Sequence, residues 1–253
     1  MIRSTQLQSK QTHCQHHSPQ VPPNNSPPAY APSAGPQSFN GFGAAQHGNA
    51  LCDLSQGWQQ FAGSSNPSQT RVAVIDDFNT AHGGQVASAL QQNGADTLNF
   101  NIGQSGTSRS ASIATSLQDI ARRLDSGEKI DAVNLSQQDF AGDQNSQAIQ
   151  QAISYIQSRH GVPVVVAAGN GGPNRVNRLA SGASLVAANA SRGSDVLDPN
   201  SSVGNIAQSA DTSSIASALV AARAGQLRSQ GLDLNSIVSN LQNQARFQGG
   251  ALD

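Results

Sequence analysis

From residue 70 onward the apolar positions fall into short runs and spaced stripes that alternate along the chain. Arg71-Val72-Ala73-Val74-Ile75 is a run of apolar residues ending in acid, the pattern of a buried parallel strand. Val86–Gln92 reads as helical and stops near Gly94. Thr97–Ile102 predicts a strand. Ile113, Leu117, Ile120 and Leu124 recur at spacings of 4, 3 and 4, one face of a helix. Ile130–Leu135 predicts a strand, and Ile149, Ile153 and Ile156 mark another helical stripe. Val162–Ala168 is the strongest strand pattern, with Pro163 near its start. Ser184–Ala190 predicts one more strand. Ser213–Arg228 is Ala-rich with apolar residues on most sides, as in a deeply buried helix, and a last helix spans about Leu234–Ala245.

Strand and helix in alternation predict an α/β domain: three layers, doubly wound around a mostly parallel sheet, over residues 69–253. Residues 1–68 differ. They hold eight of the chain's 11 prolines and show no period of 2 or 3.6, so they predict a disordered Pro/Gln/Ser-rich tail. No internal repeat is visible.

Composition sharpens that division. Apolar residues make up 36% and charged residues 11% of the 253, against roughly 45–50% and about 25% in ordinary globular chains. Much of the polar excess belongs to the tail, whose first acid is Asp53. The net charge of −1 argues against a nucleic-acid binder working by bulk charge. No apolar run approaches about 18 residues, which excludes a membrane-spanning helix. Two cysteines, Cys14 and Cys52, make no disulfide framework. The segment beginning MIRSTQLQSK lacks the apolar stretch of a secretory signal. It resembles in composition the leader of type III secreted effectors, which implies either a cytoplasmic protein or one exported by a route other than the general one. His13, Cys14, His16 and His17 are metal-ligand types without the paired spacing of a structural zinc site, so neither metal nor cofactor is predicted.

Ligand sites of doubly wound sheets lie at the carboxyl ends of the strands. Asp76 ends the first strand, His82 opens the next helix, Asn170 follows the strongest strand, and Ser213 opens the Ala-rich helix. These are the residue types of nucleophilic acyl transfer. A serine needs a base to take its proton, an imidazole can do so near neutrality, and a carboxylate can fix the imidazole tautomer. An amide N–H can stabilise a developing oxyanion. Each also has a plainer role: Asp76 or Asn170 in a turn, His82 as a surface residue at a helix start, Ser213 as a helix cap. Asp77 and Ser214 are the neighbouring rivals for acid and nucleophile.

Five segments carry a resemblance. VAVIDDF resembles V-A-V-[IL]-D-[ST]-G. HGGQVASAL resembles H-G-T-H-V-A-G, matched at His82, Gly83, Val86 and Ala87. VVVAAGN resembles V-V-A-A-G-N through Ala168, Gly169 and Asn170. DTSSIASALVAA resembles G-T-S-M-A-[AS]-P-H-V-A, matched at Thr212, Ser213, Ala216 and Val220. IDAVNLS is similar to D-V-[IV]-N-[ML]-S. Together, in the order Asp, His, Ser, they resemble the subtilisin-like serine peptidases of family S8. The resemblance implies a minimal subtilisin-like catalytic domain hydrolysing peptide or protein substrates through Asp76, His82 and Ser213. It further implies Asn170 and the Ser213 N–H as oxyanion donors, and Gly169 and Ser136 against the substrate.

Three departures qualify it. Only six positions separate Asp76 from His82, yet six extended steps of about 3.3 Å still reach about 20 Å. Gln137-Gln138-Asp139-Phe140 replaces the family's Gly-rich edge. Asp211 and Ser217 replace a glycine and a proline, and Asp211 could raise the pKa of His82 or repel the oxyanion. The alternative is therefore a catalytically silent domain that binds a partner; passage of the acyl group to an amine instead of water is a further variant.

Overall fold

The computed structural model describes residues 70–139, 141, 144–191 and 196–244. The tail expected over 1–68, the His13–His17 group, Phe140 and the end of the last helix at Ala245 lie outside the described residues. The elements are β1 (Arg71–Asp76), α1 (Ala81–Gln92), β2 (Asp96–Asn101), α2 (Arg109–Asp125), β3 (Ala132–Leu135), α3 (Ser146–His160), β4 (Val164–Ala167), β5 (Leu185–Ala190), β6 (Ile206–Ser209), α4 (Ser213–Ser229) and α5 (Leu234–Gln244).

The six strands form one all-parallel sheet in the order β2-β1-β3-β4-β5-β6. Alternation along β1 sets the layers. Val72 and Val74 point into a cluster with Val86 and Leu90 of α1, the alanines of α4, and Ile237 and Leu241 of α5. Ala73 and Ile75 point the other way, against Ile113, Leu117 and Ile120 of α2 and Ile149, Ile153 and Ile156 of α3. The domain is thus three-layered and doubly wound. Ile153 is wholly buried. Ile153→Ala is expected to cost about 3 kcal/mol from lost burial plus a cavity, read as a lowered urea midpoint at unchanged slope.

The helix α4 contains no aromatic residue and is rich in small ones. It packs against β1, β3, β4 and β5 as well as α1 and α5, so it is buried nearly all round. Small side chains let it approach: a Cβ on Gly225 would meet Thr70 Cγ2 at 2.9 Å, inside van der Waals contact. The strand β6 is not among the predicted elements. Its four residues, Ile-Ala-Gln-Ser, are too few to show a period, and its membership rests on pairing with β5. The helix α1 begins earlier than its apolar stripe indicates, because its first turn carries Gly83 and Gly84. Among the described residues no helix is long and apolar enough to cross a membrane, and no group of three or more metal-ligand side chains occurs.

Candidate active site

The sheet order reverses at β1, with β2 on one side and β3 on the other. A crevice at the carboxyl ends of β1 and β3 follows from that reversal. A cleft of about 220 Å³ opens there, lined by His82, Ser136, Gln137, Gln138, Asn170 and Ser213 among others.

Asp76 is the last residue of β1 and fully buried. A four-residue turn returns the chain into α1, where His82 is the second residue. The turn is tight: Thr80 donates through N–H and Oγ1 to the Asp77 carbonyl, and a Cβ on Gly83 would come within 2.8 Å of that same oxygen. His82 Nδ1 lies 2.9 Å from Asp76 Oδ1. An ionised carboxylate only accepts, so Nδ1 carries the proton and Nε2 is left as the basic nitrogen. Asp76 Oδ1 also accepts from the Asp77 N–H at 2.6 Å and from Gln137 Nε2 at 2.8 Å, while Oδ2 is buried and makes no hydrogen bond. The hydrogen bond to Asp76 raises the His82 pKa above its ordinary value. Burial and Arg109 oppose this; the charges of Asp76 and Asp77 reinforce it. Asp211 is exposed at the loop before α4, and the acids acting on His82 are Asp76 and Asp77.

Thr212, not Ser213, caps α4: its Oγ1 accepts from the Ile215 N–H. Ser213 is the first helical residue and is wholly buried. Its Oγ accepts from the Gly169 N–H at 3.1 Å, and its own N–H donates to Asn170 Oδ1 at 3.1 Å. The serine is thus engaged from both sides by the turn after β4. Gly169 adopts φ +99°, where any side chain would be strained, and its carbonyl accepts from the Ser202 N–H. Asn170 is exposed and presents its oxygen, rather than its NH2, to Ser213.

Ser136 lines the cleft, but its hydroxyl points into a buried polar cluster. It accepts from Asn134 Nδ2, pairs with Ser217 Oγ at 2.9 Å and lies 3.1 Å from the Ser214 carbonyl. Ser217, where the resembled motif has proline, also donates to the Ser214 carbonyl at 2.9 Å. The Ser214 hydroxyl lies 3.4 Å from the Ser136 carbonyl. These bonds tie the end of β3 to the start of α4.

Three residues outside the matched motif positions shape the walls. Gln138 Oε1 accepts from the Asn170 N–H at 2.7 Å, bridging the turns after β3 and β4. Buried Asn177 donates to the Gln137 and Ala167 carbonyls and accepts from the Asp139 and Leu179 N–H groups. Arg109, the first residue of α2, reaches Gln137 Oε1 at 3.2 Å and Asp77 Oδ2 at 3.5 Å. No sequence signal marks Asn177 as a bridge, because three of its four bonds come from segments 10 to 40 residues away. Asn177→Ala leaves backbone groups of both turns unpaired and is expected to cost about 2 kcal/mol, visible as a lowered melting temperature.

No family model matches this chain, and no curated protein matches it. Solved structures do. The structure titled "Crystal Structure of a Lanthipeptide Protease" aligns at TM-score 0.56 and 17% identity over 73% of this chain and 82% of that one. The "S41 Psychrophilic Protease" aligns at 0.52 and 17% over 77% and 90%. The patellamide maturation protease PatA aligns at 0.49 and 17% over 64% and 79%. At such identity the likeness establishes the fold, and the structural neighbours are proteases. It corrects the expectation of membership in the subtilisin-like S8 family, which no family model supports and which these neighbours do not establish. The physical reason lies in the motifs. Segments such as VAVID and VVVAAGN are also what a buried parallel strand followed by a tight turn requires, so they report the sheet before they report a lineage.

Proposed function

We propose that the chain is a serine peptidase acting on peptide or protein substrates through Asp76, His82 and Ser213. The observation that carries this reading is the hydrogen bond from half-exposed His82 to buried Asp76, beside a cleft that His82, Ser213 and Asn170 all line. Ser213 Oγ attacks the scissile carbonyl carbon and its proton passes to His82 Nε2. The Nδ1–H stays on Asp76, whose charge stabilises the imidazolium. The carbonyl oxygen, becoming negative, displaces Asn170 Oδ1 as acceptor of the Ser213 N–H. A turn of the Asn170 carboxamide then offers its NH2 as second donor. His82 returns the proton to the departing amine. Water, activated by the same nitrogen, releases the acyl group from Ser213. Gly169 shapes the turn that holds the acyl side.

A second reading is favoured by one observation: Ser213 is wholly buried with both its N–H and its Oγ engaged. In that reading the domain binds a partner and turns nothing over. A fluorophosphonate probe separates the two. The first reading expects labelling of the wild type and of Ser214→Ala. An unlabelled wild type, under conditions where a known serine peptidase is labelled, would establish the second.

A further inference from the structure

Gln137 is buried, with 8% of its surface exposed, two residues beyond the end of β3. Both ends of its side chain are held. Nε2 donates to Asp76 Oδ1 at 2.8 Å, and Oε1 accepts from Arg109 Nη1 at 3.2 Å. The two contacts agree on the orientation of the amide. A guanidinium only donates and a carboxylate only accepts, so the oxygen must face Arg109 and the NH2 must face Asp76. The Gln137 backbone is pinned as well, since its carbonyl accepts from Asn177 Nδ2 at 2.8 Å. Arg109 is held in turn by Asp77 at 3.5 Å. Adjacent acids of one strand end, Asp76 and Asp77, are thereby joined through Arg109 and Gln137 into a closed ring.

We propose that Gln137, oriented by Arg109, is a positioning residue that holds the Asp76 carboxylate toward His82 and sets how strongly that carboxylate draws the imidazole proton. The inference rests on the serine peptidase reading above. It explains why three donors converge on one oxygen of Asp76. The Gln137 NH2 shares Oδ1 with the His82 N–H, so the carboxylate is only partly committed to the imidazole. The charged groups facing His82 are Asp76 at the end of β1, Asp77 in the turn and Arg109 at the start of α2. Arg109 opposes protonation of His82 directly, as a cation across the cleft, and through Gln137, by fixing the donor on Asp76.

The test uses the full chain, with Gln137→Leu, Arg109→Met and the double variant. Two readouts are taken: the pH dependence of acylation by a fluorophosphonate probe, and the imidazole titration of His82 followed by NMR, its signal identified by its loss in His82→Asn. Gln137→Leu leaves Oδ1 more fully to His82. The His82 titration and the acid limb of acylation both move up by about half a pH unit or more, and the plateau rate falls about tenfold as the carboxylate loses a fixed partner. Arg109→Met moves the titration in the same direction, and the double variant adds less than the sum of the two shifts. Gln137→Glu puts a second acceptor against Asp76 and cannot restore the wild-type titration, whereas Gln137→Asn, with the same amide, recovers part of the shift. A lower melting temperature with unchanged titration and unchanged acid limb would reduce Gln137 to a packing residue and overturn the proposal. If the wild type fails to acylate while the His82 titration still shifts in Gln137→Leu, the peptidase reading falls and the positioning of Asp76 stands.

Discussion

Ser213→Ala is expected to lower peptide turnover by on the order of 10⁶-fold and to abolish fluorophosphonate labelling, if Ser213 is the nucleophile. The size follows from the absence of a substitute. Ser214 is adjacent, but its hydroxyl lies 3.4 Å from the Ser136 carbonyl within a buried cluster, and Ser136 and Ser217 are paired with each other. Water would have to attack in place of the serine, with only the oxyanion donors left to help. The fold should survive, because Thr212 supplies the cap of α4 and the substitution strips one acceptor from the Gly169 N–H, a loss of about 1 kcal/mol. Turnover by Ser213→Ala within tenfold of the wild type, at an unchanged melting temperature, would remove Ser213 from the chemistry.

On the serine peptidase reading, Asp76→Asn should cost on the order of 10⁴-fold in kcat. The arrangement around Asp76 dictates how. The N–H groups of His82 and Asp77 and the NH2 of Gln137 all converge on Oδ1, and Oδ2 has no partner. An asparagine carbonyl oxygen fits where three donors meet, and its NH2 then takes the position of Oδ2. The His82 tautomer is kept and the charge is lost. As the proposed base His82 must be neutral, and that form disappears as the pH falls through its raised pKa; Asp76 is the main cause of that rise. The acid limb of the wild-type profile therefore lies above about 6.5, the ordinary histidine value. In Asp76→Asn it moves to lower pH while the plateau drops. An acid limb that stays in place would mean that Asp76 does not act on His82 through its charge.

The architecture was largely legible in the sequence because burial writes itself there. Strands covered on both faces are unbroken apolar runs, as in Val164–Ala167, and helices covered on one face carry stripes, as in Ile149, Ile153 and Ile156. The strand β6 left no such mark, since four residues at a sheet edge owe their state to the neighbour they pair with. The positions that gather at the cleft could be picked out because each ends a buried strand or opens a helix, and the sheet order brings those ends together. What each does there is a separate matter. The sequence displayed an aspartate, a histidine and a serine, but not the direction in which the Asn170 carboxamide faces or that Ser213 is covered. Gln137 read only as a departure from a glycine-rich pattern. Its significance arises from Arg109, 28 residues earlier, and Asp76, 61 residues earlier, and no local pattern joins three residues so far apart. The lineage was over-read for the converse reason: short motifs at strand ends are demanded by the sheet itself.

The burial of α4 bears on when the protein can first act. This helix fills the space under β1, β3, β4 and β5, and Thr70 at the head of β1 meets Ser229 at the far end of α4 across 159 residues of chain. Contacts of such separation form late, because the intervening chain must be ordered before they are rewarded. During synthesis the acid and histidine leave the ribosome well ahead of the serine, yet they face an open sheet until the alanine-rich helix arrives. On the serine peptidase reading, cutting power and completion of the core thus come in one step, and a nascent chain would carry no armed nucleophile while it is itself still unfolded and easily cut.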